Sequence, residues 1–279
     1  MRCTSHDCYH EYMLDTIAHR YLKIPYTLHV RYHQRPRSAK QTILFIHGIG
    51  STGDHWKEVI ERMPKNVRII SIDLLGFGNS PAPKWAVYSS KTQARAVLAT
   101  ILKLGFRTRL IVVGHSLGAL VAIEMTKRYP LLIDRLILCS PPLYTREESR
   151  FPNSENLLIR MYNEVQKRPE QFVQLSDFGF RYGLLRGEQY LTNTNVDSYV
   201  ATLGAAIVDQ TSFEDAKKLK VPTLIIRGKL DPLVIGRNFT KLEKANPNIA
   251  VKSILAGHDI RGKFVGAVVS ALKVNLSIK

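Results

Sequence analysis

The chain has 279 residues, 45% hydrophobic and 23% charged, a globular balance with enough apolar material for a sizeable core, which excludes global disorder. Forty Lys+Arg against 23 Asp+Glu give a net charge of +17. The basic residues are scattered and sit in no nucleic-acid motif, so specific nucleic-acid binding is not expected.

No stretch approaches the roughly 18 apolar residues of a membrane span. The N-terminus "MRCTSHDCYHEYMLD" shows no apolar core of a signal peptide. Three cysteines are too few and too uneven for a disulfide framework. The expectation is a soluble cytoplasmic protein without a transmembrane segment. Cys3, His6, Cys8 and His10 lie close together, but their spacing is not that of a zinc site, and a solvated terminal segment is the plainer reading.

In chain order, "YTLHVRY" (26–32) alternates and predicts an antiparallel edge strand. Continuous apolar runs follow at 42–46, 67–72, 109–113, 135–139, 222–227 and 250–255. Unbroken runs suit strands buried on both faces. Helices are expected at 54–62, 90–104, 117–129, 233–245 and 260–274. Strands alternating with helices predict an α/β fold with a mainly parallel sheet. Residues 144–213 break that rhythm and carry seven Lys+Arg against nine Asp+Glu, leaving +19 on the rest. They read as a helical cap (lid) inserted into a core formed by 1–143 and 214–279. Their aromatics, including Phe151, Tyr162, Phe172, Phe178, Phe180, Tyr182 and Tyr190, could wall an apolar pocket or merely pack the cap on the core.

"LIVVGHSLGA" (110–119) holds Gly114-His115-Ser116-Leu117-Gly118, a G-x-S-x-G pattern between a strand and a helix. That context calls for a tight turn that lifts Ser116 above the sheet in a strained conformation. A serine hydroxyl needs a base, and the base needs an orienting acid. Of nine histidines, His258 follows the last strand, at the end where α/β sites gather. His115 should point into the sheet, and His47 reads as structural. The acid belongs between serine and histidine in the chain. Asp231, just past the strand 222–227, fits. Asp73 precedes the serine, Asp259 adjoins the histidine, and Asp209 belongs to the insertion. Two backbone donors should hold the oxyanion: the Leu117 N–H, and the Ile49 N–H from "HGIGSTG" (47–53). Loss of one such donor typically costs ~3 kcal/mol of barrier.

These motifs resemble the α/β-hydrolase superfamily: "FIHGIG" (45–50), "DLLGFGNS" (73–80), "GHSLGA" (114–119), "VPTLIIRGKLDPLV" (221–234) and "GHD" (257–259). The resemblance runs from about residue 26 to the C-terminus and implies a Ser116–Asp231–His258 triad, oxyanion donors at Ile49 and Leu117, and a cap at 144–213. It is similar to the serine-nucleophile, lidded branch of esterases and carbon–carbon hydrolases. It implies a serine hydrolase acting on a small-molecule substrate with an ester-like carbonyl, with no metal or organic cofactor. Thioester, amide or carbon–carbon cleavage and acyl transfer (including perhydrolysis) are the alternatives for the same triad. A non-enzymatic binding protein on this fold is the remaining alternative, though no triad member is missing.

Overall fold

The computed structural model describes residues 13–105, 108–150, 163, 164, 167, 168 and 196–275. A seven-stranded sheet runs β1 (Val30–Gln34), β3 (Arg68–Ile72), β2 (Thr42–Ile46), β4 (Leu110–His115), β5 (Ile133–Cys139), β6 (Thr223–Gly228), β7 (Ile249–Ile254). β1 is antiparallel to β3 and every other pairing is parallel. This is the α/β architecture that the alternation of strands and helices predicts. β2, β3 and β4 are buried at every position, as their unbroken apolar runs require.

Helices cover both faces. On one, α2 (Ser90–Leu104), α3 (Leu117–Arg128) and α7 (Gly236–Ala245) contribute Val97, Ile101, Leu120, Ile123, Phe239 and Leu242 to a core shared with Leu44, Ile70 and Val112. On the other, α1 (Lys57–Ile60) and α8 (Lys263–Asn275) bring Val59, Phe264, Val268 and Leu272 onto Ile43, Phe45 and Val113. The Ser89 side chain caps α2 by accepting from the Thr92 N–H, and Gly105 ends it at φ 61°. Three short helices are α4 (Arg146–Arg150), α5 (Val196–Thr202) and α6 (Ser212–Ala216).

The first strand starts later than the 26–32 pattern predicts. Side chains take the preceding amides out of the ladder: Thr100 Oγ1 accepts from the Leu28 N–H at 2.7 Å, and Ser80 Oγ from the His29 N–H at 2.9 Å. The segment predicted as a helix at 54–62 is a 3-10 turn, Gly53–Trp56, leading into α1. α7 begins at Gly236 rather than 233, because the Leu233 N–H is turned onto Asp231 Oδ1 at 2.9 Å.

Most of the middle of 144–213 lies outside the described residues, and with it the seven aromatics named above. Of its described part, Tyr144, Tyr199, Leu203, Ala206 and Ile207 pack in the same apolar cluster as α3. Among the described residues no helix is long and apolar enough to cross a membrane. Cys3, His6, Cys8 and His10 also lie outside the described residues.

Candidate active site

Ser116 joins β4 to α3 at φ 50° and ψ −116°. A non-glycine residue rarely holds this conformation, and it persists only where the surroundings over-determine it. Those surroundings are visible. The Ser116 N–H donates to the Cys139 carbonyl of β5 at 2.9 Å, and the Ser116 carbonyl accepts from the Ala119 N–H at 3.0 Å. A side chain on Gly114 would collide with the Gly118 backbone, and one on Gly118 with the carbonyls of Ile46 and His47. The two glycines therefore let helix, strand and neighbouring loop close on one another. Ser116 is only 3% exposed.

Asp231 and His258 come from loops after β6 and β7. Asp231 Oδ2 lies 2.8 Å from His258 Nδ1, while Oδ1 accepts from the Leu233 N–H. The carboxylate is fully buried and the imidazole 13% exposed. A carboxylate can only accept here, so Nδ1 carries a proton, and in the neutral imidazole the lone pair is on Nε2. Gly228 makes the approach of these loops possible, because a side chain there would run into the carbonyls of Ala256 and Gly257.

His115 lies below the site. Its Nε2 is 3.0 Å from the His258 carbonyl, and its ring is 4.8 Å from those of both His258 and His55. Burial first, then the neighbouring imidazoles of His55 and His258, pushes its pKa well below the ordinary histidine value. A neutral ring that meets a carbonyl through Nε2 donates from that atom. Thus the residue before the serine holds the backbone of the histidine.

The loop after β2 lies against the elbow. A Cβ on Gly48 would come within 3.0 Å of His115 Nδ1 and 3.3 Å of Ser116 Cβ. His47 Nε2 accepts from the Leu74 N–H at 2.8 Å, so its Nδ1 donates to the Gly48 carbonyl at 2.6 Å. The Gly48 carbonyl and the Ile49 N–H share one trans peptide and point in opposite directions. Fixing the carbonyl on His47 thereby fixes the direction of the Ile49 donor. Ile49 and Leu117 are both buried. Burial drives the His47 pKa down to about 4, so the ring stays neutral and keeps both bonds.

Asp73, the other carboxylate at a strand end, is fully engaged elsewhere. It accepts from Arg31 Nη2 at 2.6 Å and Nε at 3.2 Å, from the Gly53 N–H at 2.8 Å and from the Asn79 N–H at 2.9 Å. Burial alone would raise its pKa. The Arg31 bond, followed by the Asn79 and Gly53 donors, outweighs burial and holds it below the ordinary carboxylate value.

A family model for the alpha/beta hydrolase fold matches residues 41–161. Among solved structures, a thermophilic esterase from Thermogutta terrifontis is similar with a TM-score of 0.68 at 21% identity, over 86% of this chain and 90% of that one. An esterase from Exiguobacterium antarcticum gives 0.69 at 18%, over 89% and 99%. The chain has the α/β-hydrolase fold. Among curated relatives, "Probable lysophospholipase BODYGUARD 2" of Arabidopsis thaliana is 29% identical over 113 residues, 39% of this chain and 24% of that protein. The chain thus spans about a quarter of the length of such relatives.

The structure sets the imidazole of His258 on Asp231, on the loops where the sequence puts them, and ties the His258 backbone to His115, the neighbour of Ser116. It adds three supports that the sequence reading did not assign: His115 on the His258 carbonyl, Gly228 under the two loops, and Arg31 on Asp73. Gly228 stands in the quoted "IIRGKLD", but its partners come from the β7 loop, and no local pattern marks them.

Proposed function

We propose that this protein cleaves carboxylic esters through an acyl-enzyme on Ser116. The observation that carries the reading is the Nδ1–Oδ2 bond of 2.8 Å between His258 and Asp231, in a protein whose Ser116 is held in a strained strand-to-helix turn. His258 Nε2 removes the Ser116 proton as Oγ attacks the ester carbonyl. Asp231 fixes the tautomer and stabilises the imidazolium that forms. The N–H groups of Leu117 and Ile49 donate to the oxyanion, and the start of α3 adds its positive dipole end. The tetrahedral adduct collapses, and the alkoxide leaves with the proton held on His258. Water, deprotonated by the same imidazole, then attacks the acyl-enzyme and releases the acid.

Residues 144–213 form the cap over this site in the proposal. Similarity to proteins named as esterases and as a probable lysophospholipase supports an ester as the scissile group.

The test is hydrolysis of p-nitrophenyl esters of graded chain length beside matched thioesters, amides and vinylogous diketones. Esters should turn over fastest, and Ser116→Ala should lower the rate by ~10³-fold or more with the fold retained. Ester cleavage by Ser116→Ala at near the parent rate would overturn the proposal. Preferred turnover of a diketone would move the substrate class while keeping the nucleophile.

A further inference from the structure

Thirteen large apolar side chains are exposed among the described residues, and six of them crowd into 13–24: Met13, Leu14, Ile17, Tyr21, Leu22 and Ile24, between 41% and 69% exposed. Residues 13–15 are helical and run into a π-helical stretch, Thr16–Tyr21, none of whose residues is buried. Met13, Ile17 and Tyr21 recur every four residues with Leu14 beside them, the spacing of one helix face. A surface helix ordinarily turns such a face to the core. This one is attached by its other side. The Tyr26 hydroxyl donates to Asp15 at 2.7 Å, the His19 ring stacks on Tyr26 at 3.6 Å, and Arg95 Nη2 donates to the Lys23 carbonyl at 2.8 Å. The polar flank is docked and the apolar flank faces out.

The border of this strip is cationic. A cavity of about 280 Å³ opens between it and the loop before α2, with Ile24, Trp85 and Val87 among its apolar lining and Arg20, Lys23 and Arg95 among its polar lining. Among the described residues no carboxylate lines it, and Asp15 is already engaged by Tyr26 and His19. The loop carrying Trp85 and Val87 leaves the carboxyl end of β3, the same end of the parallel strands from which Ser116 rises.

We propose that this face docks on an anionic lipid surface. The side chains of Met13, Ile17, Tyr21, Leu22 and Val87 enter the boundary between headgroups and acyl chains, while Arg20 and Lys23 meet lipid phosphates. Contiguous exposed apolar surface marks an interaction site, and an apolar face edged with Lys and Arg matches an anionic membrane interface. The net charge of +17 favours an anionic occupant and opposes a second copy of the same chain, which would bring like charges together. Docking requires no turnover, so it stands or falls separately from the role proposed for Ser116.

The test is co-sedimentation of the full chain carrying Ser116→Ala with vesicles of phosphatidylcholine, with and without phosphatidylglycerol. Binding should be ~10-fold stronger to the anionic vesicles and should weaken as salt rises. The triple variant Ile17→Ser, Tyr21→Ser, Leu22→Ser should bind ~10-fold more weakly at a nearly unchanged melting temperature, because these side chains are exposed and belong to neither buried core cluster. Arg20→Gln with Lys23→Gln should reduce the preference for anionic vesicles. Full binding by the triple variant would make any affinity a general effect of charge and overturn the proposal. So would equal binding to neutral vesicles by the parent, or a triple substitution that abolishes self-association in sedimentation velocity while leaving lipid binding unchanged.

Discussion

His115 donates from Nε2 to the carbonyl of His258 across 3.0 Å. His115 immediately precedes Ser116, so one peptide step and one hydrogen bond connect the elbow to the loop that carries the imidazole. Replacing His115 with Phe keeps a ring in the space and removes the donor to a part-buried carbonyl, at a cost of about 1 kcal/mol. The His258 loop loses its register, and kcat should fall about tenfold with a smaller change in KM. His115→Gln, which retains a donor, should recover part of the loss. Steady-state kinetics on the three proteins check this. An unchanged kcat in His115→Phe would mean that the bond serves stability alone.

Gly228 controls the distance between the other two loops. A methyl group there meets the carbonyls of Ala256 and Gly257, and backbone cannot yield as a flexible side chain can. Gly228→Ala should therefore push the Asp231 and His258 loops apart. Stability should drop by about 1–3 kcal/mol, and ester turnover of the folded fraction by tenfold or more. Thermal melts with active-site titration separate the two effects.

The two strand-end aspartates should respond in opposite ways. Asp231→Asn offers the wrong partner to His258 Nδ1 and should lower kcat on the order of 10³-fold or more with little change in stability. Asp73→Asn uncouples a buried carboxylate from Arg31 and should destabilise by about 3 kcal/mol, with kcat per folded molecule within tenfold of the parent. Urea titrations and kinetics on both variants check the assignment. A large kcat loss confined to Asp73→Asn would exchange the roles of the two acids.

Stability should depend on pH through His47 and His115. Burial lowers both pKa values in the folded state, to about 4 for His47 and in the same direction for His115, whereas an unfolded histidine titrates near 6.5. Between those values unfolding takes up protons, so stability rises with pH. It is complete above about pH 6.5 and is lost as pH falls toward 4. Urea midpoints measured from pH 8 to 4 should be flat and then decline. In His115→Phe the decline should be shallower by about one proton. A slope unaffected by that substitution would mean that His115 is protonated in the folded state.

Most of this architecture is legible in the sequence because burial on both faces leaves an unmistakable mark. "TILFI", "RIISI" and "LIVV" can hardly be anything but central strands, and they are. The elbow is legible for a related reason: two glycines around a serine, between a strand and a helix, have few other uses. Chain order then separates Asp231 from Asp73. What stays hidden depends on atoms far apart in the chain. The start of β1 is set by Thr100 and Ser80, and Gly228 matters only because the β7 loop lies on it. The apolar strip at 13–24 has ordinary helical spacing in the sequence. Its outward orientation becomes visible only with the ties of Asp15, His19 and Lys23.

The most direct test of the central claim is covalent labelling of the folded chain with a fluorophosphonate, read by peptide mass spectrometry. The account predicts one adduct, on Ser116, absent in Ser116→Ala and formed at least ~100-fold more slowly in His258→Ala. A folded protein that takes up no label at Ser116, or carries it on another residue, would contradict it.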